Sequence, residues 1–460
     1  MRQIDVHKLA DDAEFNGFHG LVLFWCALII IFDGYDLAIA GIALPSIMDD
    51  MGVDPTSAGF MVSSALFGML FGAILMGTLA DRIGRVNSIA ICVAMFSLGT
   101  ASAGLTDSPV VFSILRFIAG LGIGGVMPNV VAEMTEYAPR RIRATMVTLM
   151  FSGYAIGGLL ATLLGKGLLA DYGWQSVFFA AGLPVLLIPV IMRALPESMP
   201  FLLMRGRTDD LKRVVARFEP RYIPQPTDQF AVPDKDKADK ATISHLFHEG
   251  RAFSTVMYWV TFFMCLFMVY AVGSWLAKLM VNAGFPLGSS LNMVLALYFG
   301  GMIGAVGGGW LADKLHIKWV LAGMFVLAAV SITLVGYGDR MPTPLLLLIV
   351  GFVGASTIGT QIVAYAYTGQ FYPMAIRSTG IGWASGAGRS GGIVAPVVIG
   401  GLVAVQLSLQ QNFMAMAVPA VIAFVAVCLI NHKLSASAQK EDVSAELPET
   451  FTPRVGAAVD

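Results

Sequence analysis

The sequence predicts an all-α polytopic membrane protein, twelve transmembrane helices arranged as two pseudo-symmetric six-helix halves. Three observations carry that. The 460 residues are 57% hydrophobic and only 13% charged, and so few ionic groups would not cover the surface of a soluble domain. Apolar runs of about 20 residues, the length that crosses a bilayer, recur along the whole chain. Two short motifs also repeat at nearly one offset. GTLAD at 77–81 returns as GWLAD at 309–313, and PRRIRAT at 139–145 returns as PMAIRST at 373–379, offsets of 232 and 234. Duplicated halves of this kind place a ligand between them, near the bilayer midplane.

Polar punctuation sets the spans at about 20–45, 57–80, 87–105, 109–134, 143–169 and 174–195, then 253–280, 288–312, 317–336, 343–370, 376–405 and 410–432. The resulting organisation is a first half over 1–195, a linker over 196–252, a second half over 253–433 and a tail over 434–460. The linker contains LKRVVARFEP and DKDKADK, a charged stretch with room for short amphipathic helices. The tail, rich in Ala, Ser and Glu, reads as disordered.

The first 20 residues lack a short apolar core followed by a small-residue cleavage site, so no removable signal peptide is expected. Lys and Arg collect in one set of loops: Arg82 and Arg85; Arg140, Arg141 and Arg143; Lys314 and Lys318; Arg377. The opposite loops carry Asp49, Asp50, Asp54, Asp107 and Asp171. The positive-inside rule then places both termini and the linker in the cytoplasm, with the spans in the inner membrane. Cys26, Cys92, Cys265 and Cys428 stand singly in apolar spans, which argues against a disulfide framework or a metal site. No Walker loop or HExxH and no clustered His/Cys set occurs, so no enzyme chemistry, no cofactor and no ATP are expected. Nor is a nucleic-acid partner.

The most informative residues are Asp33 and Asp36, in IIIFDGYDLAIAGIALP of the first span. A charged carboxylate at membrane depth costs roughly 2.5–3.5 kcal/mol on insertion scales, so such groups face cavities and work there. Spacing of i, i+3 puts both on one helix face, where they could share a proton or a partner. Two readings stay open. One is structural, a cap beside Gly34 or the neutralisation of a buried arginine. The other is functional, a desolvated carboxylate that loads and releases a proton.

Several segments resemble the major facilitator superfamily. Gly77-Thr-Leu-Ala-Asp81-Arg82-Ile-Gly84-Arg85 is similar to its loop motif between helices two and three, Arg116-Phe-Ile-Ala-Gly120-Leu-Gly122 to its fourth-helix motif, and Pro196-Glu197-Ser198-Met-Pro200-Phe-Leu to the segment after helix six. DGYD in the first span resembles the aromatic acid:proton symporter family, and GAGRSGGIVAP in the eleventh looks closest to its benzoate and hydroxybenzoate carriers. The second-half loop departs from the motif, with His316 and Ile317 in place of Gly84 and Arg85. The resemblance implies a monomeric carrier that imports a small aromatic carboxylate with protons by alternating access. Proton-driven efflux of small organic compounds, sugar uptake, a transporter-like sensor and a membrane-embedded enzyme are the competing readings.

On that basis Asp33 and Asp36 are the proton-coupling candidates. Arg389, about 13 residues into the eleventh span, is the first candidate for the substrate carboxylate, because a guanidinium presents a flat fork that matches it. The alternative is an ion pair with an acid of the first helix. Arg116 is a weaker candidate, equally open to interaction with Asp33 or Asp36 and to packing. Tyr35, Tyr298, Tyr365 and Trp383 could stack on an aromatic ring, as could Tyr154, and Asn129 and Gln361 could hydrogen-bond a ring substituent. Asp81, Arg82, Arg85, Asp313 and Lys314 fit an inter-helix charge latch, with Arg143 and Arg377 beside it as further gating residues. Glu133 is expected to pair with Arg82, Arg140 or Arg143.

Overall fold

The computed structural model describes residues 2–222, 228–231, 243–373 and 376–435. The DKDKADK stretch and the tail from 436 onward lie outside them. Twelve helices long and apolar enough to cross a membrane are present among the described residues. The first half holds α1 (Gly17–Met51), α2 (Pro55–Ile83), α3 (Arg85–Ala103), α4 (Pro109–Tyr137), α5 (Arg143–Tyr172) and α6 (Gln175–Ala194). The second holds α7 (Ala252–Asn282), α8 (Leu287–Lys314), α9 (Ile317–Val335), α10 (Thr343–Phe371), α11 (Arg377–Ala404) and α12 (Leu409–Leu429).

Local chemistry explains the ends. Asn16 caps α1 in a capping box with His19, and Gly52 closes it with a left-handed backbone, φ +61°. Asp54 caps α2 just before Pro55, whose missing N–H is harmless in the first turn. The sixth span is not the single helix its hydropathy suggests. It runs as Gln175–Ala180, a 3-10 turn Leu183–Leu187, and Ile188–Ala194. Pro184 and Pro189 remove N–H donors in mid-span, and Gly182 precedes the break.

The described part of the linker carries a short amphipathic helix of the kind its sequence allows. Thr208–Phe218 is an amphipathic helix with Leu211, Val214, Val215 and Phe218 buried. The Asn16 side-chain amide donates to the carbonyls of Arg217 and Phe218 at 3.3 and 2.9 Å, docking this helix on the start of α1. Arg2–Asp5 pairs in parallel with Asp228–Ala231, a contact that nothing in the sequence pattern announced.

The basic loops gather at one end of the bundle and the acidic loops at the other. Contacts between the halves concentrate from mid-depth to the acidic end. Ser63 Oγ donates to the Ile393 carbonyl at 2.7 Å, Lys278 Nζ lies 3.2 Å from Asp49, and Lys166 Nζ donates to Asn292 at 2.9 Å. Gly59 packs on the backbone of Pro396 and Val397, where a Cβ would lie 3.0 Å from the Val397 Cα. At the basic end Asp81, Arg82, Asp313 and Lys314 are all exposed. The bundle is thus shut at its acidic end.

Candidate functional site

α1 carries two carboxylates at mid-depth, and the fold sends them to different places. Asp36 is buried in a closed polar knot. Arg116 of α4 donates through Nη1 to its Oδ1, and the Thr100 hydroxyl of α3 donates to its Oδ2 at 2.5 Å. Arg116 Nη1 also reaches Thr100 Oγ1 at 2.8 Å, and its Nη2 reaches the Asp36 carbonyl at 3.3 Å. Asp33 is 0% exposed, and neither of its oxygens has a hydrogen-bond partner among the described residues. The expected shared partner is therefore absent. Three residues turn an α-helix through about 300°, so the two side chains diverge by about 60°. One enters the first half's interior and the other turns toward the second half. Gly34 lets α5 close in behind them, because a Cβ there would sit 2.9 Å from the Tyr154 Cα.

Two phenols from opposite halves lie near Asp33, and two more lie near those residues or near Arg389. Tyr154 of α5 and Tyr270 of α7 lie within electrostatic reach of each other and of Asp33. Tyr298 of α8 acts on the same pair, its ring lying across Gly158 of α5. Tyr365 of α10 donates to or accepts from Ser385 of α11 at 2.8 Å. Arg389 of α11 is half-buried and bears electrostatically on Asp33, Tyr270 and Tyr365. Its Nη1 donates to the Met69 carbonyl at 3.2 Å, and no carboxylate pairs with it among the described residues. Close backbone approach holds α11 in place: a Cβ on Gly391 would lie 3.0 Å from the Phe263 Cα of α7. One unpartnered acid on the first half and one guanidinium without a carboxylate on the second thus lie within electrostatic reach of each other, and Tyr270 lies within reach of both.

Arg116, Tyr35 and Asn129 make their contacts elsewhere, within the first half. Arg116 is committed to Asp36, not to a ligand. The Tyr35 hydroxyl donates to the Val177 carbonyl at 3.0 Å, inside the first half. Asn129 is turned into the α3–α4 contact, donating to Gly125 O at 2.8 Å and Ser88 Oγ at 3.3 Å. Trp383 stacks on Trp259 at 5.9 Å, and both line a cavity of about 600 Å³ with Leu70, Thr379 and Gly386. Gln361 is half-buried on α10, one turn before Tyr365.

The expected partners of Glu133 need correction. Arg82, Arg140 and Arg143 do not meet it. Arg85 does, at 3.4 Å, while also pairing with Glu136. Arg85 opens α3, and both acids lie on the α4 turn that packs beside it, whereas Arg82 points to solvent. Glu197 completes the knot by accepting from the Arg85 backbone N–H at 2.6 Å. The latch residues Asp81, Arg82 and Asp313 make no ion pair among the described residues, and Lys314 lies 4.1 Å over the Trp310 ring instead. Arg143 pairs with Asp11 and donates through Nε to the Ala138 carbonyl at 3.1 Å. Arg377 repeats the second contact on Tyr372 at 3.3 Å. Sequence reasoning missed Tyr270, Ser385 and Thr100. Tyr270 carried a signal, since the 234-residue offset makes it the counterpart of Asp36. Thr100 and Ser385 are small polar residues of a common kind in spans and carried none.

The description "Major Facilitator Superfamily" fits residues 26–366 and 288–455, so the chain belongs to that superfamily of membrane carriers. It is 43% identical to the benzoate transport protein of Acinetobacter baylyi, over 100% of this chain and 99% of that one. It is 34% identical to the 4-hydroxybenzoate transporter PcaK of the same organism, over 85% and 86%. Among solved structures, the inward open xylose transporter XylE of Escherichia coli matches with a TM-score of 0.71 at 17% identity, over 93% of this chain and 99% of that one. That likeness establishes the twelve-helix fold. The relatives are named transporters, and the chain is a multi-pass membrane protein that takes a small-molecule substrate.

Proposed function

We propose that the chain imports an aromatic carboxylate of the benzoate or hydroxybenzoate type together with protons, by alternating access. The observation that carries the reading is the pair of Asp33, buried without a hydrogen-bond partner, and Arg389, a cation without a carboxylate, on opposite halves within electrostatic reach of each other and of Tyr270. An isolated buried charge is expensive, and proton uptake cancels it. Asp33 is therefore the proton carrier. Asp36, held by Arg116 and Thr100, is a fixed counter-charge that orients α1.

Arg389 takes the carboxylate in two parallel hydrogen bonds, and the phenols enclose the ring. A substrate anion moving inward works against a negative interior, and an accompanying proton removes that cost. The basic end is the cytoplasmic one by the distribution of Lys and Arg, so both termini and the linker lie inside, in the inner membrane. The acidic-end contacts then close the outer mouth, and the protein is captured facing inward. One chain encloses the whole site, so the monomer is the working unit.

Proteoliposomes with an imposed pH gradient, tested over a panel of labelled aromatic acids, check this directly. Accumulation that follows the gradient for at least one of them supports the reading. Uptake indifferent to the gradient removes the proton from the mechanism.

A further inference from the structure

Arg389 can fix one end of a benzoate-type ring, which raises the question of what meets the other end. Ser385 precedes Arg389 by four residues on α11, so the two side chains share a helix face one turn apart. A turn rises about 5.4 Å, close to the reach of a benzene ring from its carboxyl carbon to the opposite substituent. At that distance Ser385 is hydrogen-bonded to Tyr365 at 2.8 Å, and both residues are half-buried. Phe262 of α7 meets the Tyr365 ring edge-on, with centroids 4.9 Å apart and planes at 83°, so packing as well as the hydrogen bond fixes where the phenol points. Tyr365 also lies within electrostatic reach of Arg389.

We propose that Tyr365 and Ser385 form the subsite that reads the ring position opposite the carboxylate, favouring acids that carry a hydroxyl there. The inference rests on Arg389 as the carboxylate anchor. Each of the two hydroxyls has one hydrogen to donate and two lone pairs to accept with. Their mutual bond uses one hydrogen, so the pair retains a donor and several acceptor sites for a third group. An unsubstituted ring leaves their mutual bond intact and one hydroxyl hydrogen without a partner. A para-hydroxyl adds a bond without breaking theirs. The pair therefore tolerates benzoate and gains on 4-hydroxybenzoate, the two acids that separate the names of the relatives above.

The test is a competition series in proteoliposomes. Unlabelled benzoate, 2-hydroxybenzoate and 4-hydroxybenzoate compete against labelled benzoate for the wild type, Tyr365→Phe, Ser385→Ala and the double variant. The quantity read is the ratio of the 4-hydroxybenzoate to the benzoate inhibition constant within each variant, so any general loss of uptake cancels. Where uptake is too slow, ligand-induced thermal stabilisation gives the same ratio. The ratio shifts against the para-hydroxy acid by roughly threefold to tenfold in the double variant, while the ratio for 2-hydroxybenzoate holds. An unchanged para ratio in all three variants overturns the subsite. Failure of every aromatic acid to compete in the wild type refutes the cargo reading itself, and the subsite with it.

Discussion

The two halves share a fold and divide the chemistry. At the basic end the first half ties Arg85 to Glu133 and Glu136, with Glu197 on the Arg85 backbone. At the repeat offsets the second half has Ile317 opposite Arg85 and Tyr367 opposite Glu133, both buried, with the Tyr367 hydroxyl 3.4 Å from His432 Nδ1. Lys318 there donates to the carbonyls of Cys428 and Ile430 at 3.0 and 2.8 Å. At mid-depth the first half supplies Asp33, Asp36 and Arg116, whereas the second supplies Arg389, Tyr270, Tyr298 and Tyr365. The cap of the fifth and eleventh spans stayed alike, Arg143 and Arg377 each holding a carbonyl five residues back. A duplicated scaffold thus keeps what positions its helices and lets the cavity-facing residues diverge, acids on one side and a guanidinium with phenols on the other.

The sharpest way to break that division is to neutralise the acid. Asp33→Asn abolishes gradient-driven accumulation while leaving counterflow of substrate, measured with an acidic exterior. Full accumulation by this variant would show that the proton is carried elsewhere. Asp36→Asn acts differently, because it leaves Arg116 buried beside a neutral amide. Loss of one partner of a buried pair costs about 3–5 kcal/mol, so its first effect is a large fall in thermal stability in detergent.

On the other side of the cavity, Arg389→Ala weakens every carboxylated substrate by roughly 10- to 100-fold, the value of charge-assisted hydrogen bonds. An unchanged apparent affinity removes Arg389 from the site. Arg85→Ala slows turnover several-fold at unchanged affinity, because it unties the first half's inner end without touching the cavity. A selectivity change in that variant would mean that the halves are less separate than described.

The smallest effect belongs to Asp54, outside the spans. Hydrogen bonds from Ser57, side chain and backbone, and from Thr56 hold its carboxyl below the usual carboxylate range. Its contribution as a cap is present above the ordinary carboxylate value and disappears as pH falls through the lowered one. Asp54→Ala lowers stability by about 0.5 kcal/mol, the low end for an exposed cap. Melting curves at pH 7 and below pH 3 distinguish this, the difference from wild type closing in acid.

Much of the architecture was legible in the residues. Span positions came within a few residues of the helices because hydropathy and turn chemistry are local, as at Asn16, Gly52, Asp54 and Pro55. The broken sixth span was the local exception, since its prolines were outvoted by their apolar neighbours. The site was half legible. Asp33, Asp36, Arg116 and Arg389 stood out because ions in apolar spans are rare.

What the chain determined alone, then, is which residues are too costly to bury without a purpose, and where along each helix they lie. Whom they meet was decided by the packing. A turn of about 60° between Asp33 and Asp36, and the close approach of α5 at Gly34, gave one acid a guanidinium and left the other bare. Arg85, not Arg82, Arg140 or Arg143, took Glu133, and Tyr270 came within reach of Asp33 and Arg389, for the same reason. Partner choice depends on angles and distances between helices, and those are set by contacts spread across hundreds of residues.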